Sequence, residues 1–239
     1  VPRRAAMGAE RRGVQVNDQT DESCAELADA LYRHKMIYFR EQDISHSDHE
    51  DFTVRFGEFG RDAYTPGLAD HPEIQPVLKE ADSQAHMIFG GAWHTDSPFL
   101  PQPPAITILM GRDIPPYGGD TMWANSVLAY AFLSDTMKET LAHLRVHMSA
   151  RTVLAEVKKS AEKFGKKSLG GTPLHFDPEP MIAGAMHPLV RTHPVTGGKA
   201  LYVDDSYAVS SEGMTEPEAD AKLGVRRDAA TPPAVACVV

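Results

Sequence analysis

The chain has 239 residues, 42% of them hydrophobic, which is enough to bury one sizeable core. Its formal net charge of −9 would repel nucleic acid and anionic membrane, leaving small molecules as the expected partners. Cys24 and Cys237 are too few for a disulfide framework and suit a reducing, cytoplasmic setting, and no apolar run approaches the roughly 20 residues that cross a bilayer. The start, VPRRAAMGAERRGVQV, has arginines with no apolar stretch behind them, so it does not read as a secretory signal. It also lacks an initiator Met, the mark of a processed chain or a fragment.

In chain order, residues 20 to 35 are predicted as a helix, with Thr20 and Asp21 to cap it and Leu27 and Leu31 on one face. The run MIYF follows as a strand. Ser47 and Glu50 have the spacing of a capping box ahead of Phe52 and Phe56, and Gly57 is placed to close that second helix. AITILM, 105 to 110, is bounded by Pro103-Pro104 and Gly111 and has the pattern of a buried strand. Gly118-Gly119 is expected to turn the chain into a short strand. Residues 126 to 144 read as helical with Ser126 and Ser134 as caps, and RVHMSART alternates as a strand does.

The lysines of EVKKSAEKFGKK, 156 to 167, fit a solvated helix or insertion rather than a nucleic-acid surface, because only Phe164 is available among them for base stacking. RTHPVTGGKALYV is predicted as a hairpin around Gly197-Gly198, both turn residues being free to take positive φ. Thr215 and Glu218 box the start of a last helix that stops at Gly224. The Gly-Gly pairs form no phosphate-binding loop. Helices cluster early and strands late, so the class is α+β with a mostly antiparallel sheet core, in a single domain over 1–239.

Four H-x-D pairs occur: His46/Asp48, His49/Asp51, His94/Asp96 and His175/Asp177. The first two overlap a predicted helix, where residues two apart project roughly 200° from each other and cannot share an ion. On a strand, residues i and i+2 point to the same side, which lets an imidazole and a carboxylate converge. His94/Asp96 lies between Trp93 and Phe99, just ahead of the apolar run at 105, and is the better candidate. His175/Asp177 runs into Pro178 and Pro180, which favour an irregular exposed segment. One imidazole and one carboxylate, with a second His from elsewhere, make the facial triad of non-haem Fe(II) oxygenases, which leaves coordination positions open. No thiolates or further His are spaced for a structural zinc site. The bland alternative is a His-Asp hydrogen bond that orients a side chain.

WHTDSPF, followed by PPAITIL and YGGDTMWAN, resembles the taurine dioxygenase family of Fe(II)/2-oxoglutarate-dependent oxygenases. GAERRGVQV, ALYRHKMIYFREQDIS and HPLVRTHPVTGGKALYV match the same family, collinearly from about residue 8 to 223. The resemblance implies a double-stranded β-helix, a cupin-like jelly roll wrapped by helices. It implies that His94 and Asp96 are iron ligands and catalytic, and that Thr121 binds the carboxylate of the cosubstrate 2-oxoglutarate. The implied reaction couples decarboxylation of 2-oxoglutarate, to succinate and CO2, with hydroxylation of a small organic substrate by dioxygen.

Two departures bear on that expectation. The family's taurine enzyme has a polar amide residue four positions before the metal His, where this chain has Gly90, so the implied substrate is not taurine. The family also has a distal His ligand and an Arg that pairs with 2-oxoglutarate, in a W-D-N-R-type segment near its end. After Gly224 this chain reads VRRDAATPPAVACVV, an atypical tail over 224–239 that is expected to be truncated or read in a shifted frame. His143, His147, His187 and His193 carry no signal of a ligand, and Arg226 and Arg227 have no supporting geometry, so the third ligand and the pairing Arg are unassigned. An end without the last strands is expected to leave sheet edges open to self-association. Three readings stay open: an active oxygenase, an inactive truncated member with an incomplete metal site, and a jelly-roll module that binds without metal.

Overall fold

Thr20 opens the first helix as the sequence predicts, its hydroxyl accepting the N–H of Ser23 while the Ser23 hydroxyl accepts the N–H of Thr20. The computed structural model describes residues 7–60, 66–79, 90–164, 178–202, 204–215, 218 and 236–238. Strand β1 (Ala9–Arg11), helix α1 (Asp21–His34) and strand β2 (Ile37–Phe39) form one unit. Helix α1 ends where Lys35 takes the left-handed conformation, φ 69°, and its N–H reaches the Leu31 carbonyl. This reverses the chain so that β2 pairs with β1 in parallel, Ala9 opposite Ile37. The parallel pair is a local exception to the antiparallel expectation, and it follows from a helix serving as the crossover.

Helix α2 (His46–Val54) is capped two residues earlier than the predicted Ser47/Glu50 box. Ser45 accepts the N–H of Asp48, and the Asp48 carboxylate accepts the Ser45 N–H and hydroxyl. Asp is one methylene shorter than Glu and closes the same ring here. The helix stops at Arg55, ahead of Gly57. Leu27, Cys24, Val16 and Phe52 form a satellite core with Phe39, Phe56 and Ile108 packed against it.

Ile108 belongs to the run 105 to 110, which is not a buried strand. No described strand pairs with it, and its residues alternate between half-buried (Ile106, Ile108, Met110) and exposed (Ala105, Thr107, Leu109). Continuous hydrophobicity signals burial on both faces only where a sheet or helix covers each face. Here one face meets the satellite core.

The main core is assembled around a three-stranded antiparallel sheet, β5-β4-β8, of β4 (Arg145–Met148), β5 (Ala185–Pro188) and β8 (Ala208–Ser211). Val146 stands opposite His187 on one side and Ser211 on the other, and a bulge between His147 and Met148 shifts the register with β8. Helices α3 (Ser126–Ala131) and α4 (Asp135–Leu141) replace the single helix expected over 126 to 144. Asn125, not Ser126, caps the first, and Ser134 caps the second. Phe99, Leu141, Val146, Met148, Met181, Leu189, Leu201 and Tyr207 are buried together, with α3, α4 and helix α5 (Arg151–Phe164) contributing half-buried neighbours such as Leu128, Met137 and Leu154. Lys158, Lys159 and Lys163 of α5 face solvent, as a solvated helix requires.

Helix α6 (Pro178–Ala183) leads through Gly184 into β5. The hairpin of β6 (Val190–Thr192) and β7 (Lys199–Leu201) forms where predicted, but its loop spans His193 to Gly198 and only Gly197 takes positive φ, 68°. Gly118 and Gly119, φ 75° and 76°, turn the chain into β3 (Met122–Ala124) as expected. Strand β9 (Ala236–Val238) pairs antiparallel with β3, so the tail contributes a strand that its composition gave no reason to expect. At the last predicted helix the Glu218 carboxylate accepts the Thr215 N–H and hydroxyl, while the helix body lies outside the described residues. No helix among the described residues is long and apolar enough to cross a membrane.

Candidate metal centre

His94, Thr95 and Asp96 do not lie on a strand, contrary to the expectation. They form an irregular segment that bends at Ser97, where φ is +44°, and drops Pro98 and Phe99 into the main core. Phe99 is fully buried and meets the Tyr207 ring edge to face at 5.4 Å. The two candidate ligands converge all the same: His94 Nε2 lies 3.3 Å from Asp96 Oδ1. Their side chains are 36% and 46% exposed, so both groups stand at an opening rather than inside the core.

Each candidate ligand is held by a partner on its far side. The Nδ1–H of His94 donates to the Ala92 carbonyl at 2.8 Å, which turns Nε2 toward Asp96. Thr107 donates its hydroxyl to Asp96 Oδ2, leaving Oδ1 to face His94 Nε2. Thr107, which the sequence analysis did not single out, is the one polar residue in the AITILM run, an interruption that could have found it. The hydrogen bond to Asp96 is the main cause that raises the His94 imidazole to about 9, with burial opposing it and the Ala92 carbonyl adding to it. The reciprocal bond from His94 holds the Asp96 carboxyl below the ordinary range.

Behind the segment lies Asp204, a residue the sequence analysis did not single out. It is 1% exposed, and its Oδ2 accepts the N–H of Thr95 at 2.5 Å. Its Oδ1 accepts the N–H groups of Ser206, at 2.8 Å, and Tyr207, at 3.2 Å. Burial raises this carboxyl to about 6 against the three N–H donors that favour its charge. The D-D-S-Y spacing, an Asp with backbone donors two and three residues on, is an Asx-turn signal that could have identified it.

The donors present fit part of an iron site. Two ligands about 2.1 Å from one ion and at right angles are about 3 Å apart, close to the observed separation of His94 Nε2 and Asp96 Oδ1. Among the described residues no third His, Cys, Asp or Glu joins them. Among the described residues, the four other histidines weighed as ligands lie in other settings. His147 Nε2–H donates to the Ala183 carbonyl, and buried His187 donates to that of Leu100. His193 Nδ1 accepts the N–H groups of Val195 and Thr196 within the hairpin loop. His143 is exposed between α4 and β4.

On α2, Asp48 is occupied in capping, and His49 is buried with its pKa lowered by that burial. His175 and Asp177 lie outside the described residues. Thr121 is half-buried, one residue ahead of β3, and among the described residues it makes no hydrogen bond to His94 or Asp96.

The family model described as "Taurine catabolism dioxygenase TauD, TfdA family" matches residues 2–237. The chain belongs to the TauD/TfdA family. The match runs beyond the motif-bearing span of 8–223 and takes in most of the tail. Among the relatives of this TauD/TfdA chain is an alpha-ketoglutarate-dependent dioxygenase, cnsM, of Penicillium expansum, 29% identical over 229 residues that make up 90% of this chain and 60% of the relative. Another is an alpha-ketoglutarate-dependent sulfate ester dioxygenase of Pseudomonas putida, 30% identical over 82% of this chain and 62% of the relative. The chain thus spans about three fifths of the length of these relatives. A crystal structure of a taurine dioxygenase from Burkholderia xenovorans superposes with a TM-score of 0.75 at 32% identity, covering 98% of this chain and 72% of that one. The fold is therefore that of a TauD-like dioxygenase.

Proposed function

We propose that this chain is an Fe(II)- and 2-oxoglutarate-dependent oxygenase that hydroxylates a small organic substrate, with release of succinate and CO2. The observation that carries the reading is the 3.3 Å approach of His94 Nε2 to Asp96 Oδ1 at an opening of the fold. In this reading His94 and Asp96 hold the iron, Thr121 binds the 2-oxoglutarate carboxylate, and the framework is the double-stranded β-helix that the family resemblance implies. Iron bound there with 2-oxoglutarate supplies the activation of dioxygen.

The protein's own residues set direction and access. Ala92 fixes the His94 ring through Nδ1, and Thr107 fixes the rotation of the Asp96 carboxylate, so both donors are pre-aimed. A metal bound through Nε2 would have to displace the Nε2 proton of His94, which the Asp96 carboxylate favours. Gly90, φ +72°, has no side chain where a Cβ would come within 3.5 Å of His94 Cε1. No side chain at 90 therefore occupies the space beside the imidazole. A polar residue there would be needed to grip a sulfonate, and its absence supports a substrate other than taurine.

A second reading, a chain that binds iron weakly and turns nothing over, is favoured by the lack of a third ligand among the described residues. Succinate formation separates the two. The chain is incubated with Fe(II), 2-oxoglutarate, ascorbate and air, beside His94→Ala and Asp96→Ala. Succinate from the wild type alone supports the oxygenase, and none from any of the three leaves the second reading.

A further inference from the structure

The 93–97 segment carries both candidate ligands, yet no strand ladder holds it. Among the described residues, contacts from 95 and 99 join this stretch to the β7–β8 connection. One is the ring pair of Phe99 and Tyr207, each three residues beyond an aspartate, Asp96 and Asp204. The other is the bond from the Thr95 N–H to Asp204 Oδ2, which joins positions 109 apart in sequence. Asp204 is itself fixed, because its other oxygen closes the turn at Ser206 and Tyr207. Thr95 stands between the candidate ligands, so fixing its N–H sets the plane of the 94–95 peptide, which adjoins His94 directly and lies one residue ahead of Asp96.

We propose that Asp204 is a positioning residue for the metal centre: its buried carboxylate clasps the Thr95 N–H and so aims His94 and Asp96 at one ion. The inference rests on the metal-site reading above and extends it to a residue that touches neither metal nor substrate. A carboxylate serving only its own turn would need just the two bonds from Ser206 and Tyr207. The third, to a segment from the other half of the chain, is the one with a consequence for ligand geometry.

The test is a Co(II) titration followed by visible absorption and calorimetry, under conditions where circular dichroism finds every variant folded. Asp204→Ala is expected to bind Co(II) about tenfold or more weakly than wild type and with an altered band shape, the range found when the outer partner of a ligand is removed. Asp204→Asn, which keeps an acceptor oxygen, is expected to recover most of the loss. Ser45→Ala, which removes the exposed cap of α2, is expected to bind as wild type does. Wild-type affinity in Asp204→Ala, or an equal loss in Ser45→Ala, overturns the proposal. Wild-type affinity in His94→Ala overturns instead the metal-site reading on which it depends.

Discussion

Replacing Asp204 by Asn should flatten the pH dependence of stability. The folded state raises this carboxyl from the ordinary 3.8 to about 6, mainly because the group is 1% exposed. A carboxyl whose folded value is raised favours folding while protonated. Its contribution is whole below the unfolded value and is lost as pH rises through the folded one. The window is therefore roughly pH 4 to 7, and two units at 1.36 kcal/mol each amount to about 3 kcal/mol lost across it.

Asn cannot ionise, so the variant lacks this loss. The missing acceptor oxygen shifts its stability by an amount that does not vary with pH. Urea denaturation of both proteins at steps from pH 4.5 to 7.5 gives the difference directly, and titrations of groups not coupled to Asp204 cancel. The wild type should lose stability relative to the variant as pH rises. A constant difference, or one of opposite slope, would refute the argument that burial outweighs the three N–H donors.

Metal binding should release protons. With His94 protonated up to about 9, Co(II) added at pH 7 should free about one proton per ion, and affinity should climb about tenfold per pH unit between 6 and 8; a pH-independent affinity would exclude His94 as a ligand. Ser45→Ala should cost about 1 kcal/mol of stability through loss of the α2 cap, whereas exposed Ser47→Ala should stay within about 0.5 kcal/mol, a contrast that thermal denaturation resolves. Gly184→Ala should destabilise by more than about 2 kcal/mol, since a Cβ there would lie 2.1 Å from the Met148 carbonyl oxygen with φ held at +66°. A fold that tolerates this change would mean that the α6–β5 join gives way easily.

Local signals in the sequence located most elements. The Thr20 cap, the Gly118-Gly119 turn and the β6–β7 hairpin are all decided within a few residues, and all appear at or near the expected places. What failed depended on distant partners. AITILM has the composition of a buried strand, but burial needs cover on both faces, and only the satellite core around Leu27 and Phe52 provides it. Strand β9 arises from pairing with β3, more than a hundred residues away, which composition cannot reveal.

The site divides in the same way. His94 and Asp96 were legible as a short motif and converge, although a bend rather than a strand brings them together. Thr107 and Asp204 contribute through contacts 11 and 109 residues apart in sequence, and spacing alone gave no reason to join them to the pair.

An anaerobic titration of Fe(II) into the chain with 2-oxoglutarate reads the central assertion most directly, because the keto acid chelated to protein-bound iron absorbs weakly in the visible. Wild type should develop that band and His94→Ala should not. The same flat spectrum from both would contradict an iron centre built on His94 and Asp96.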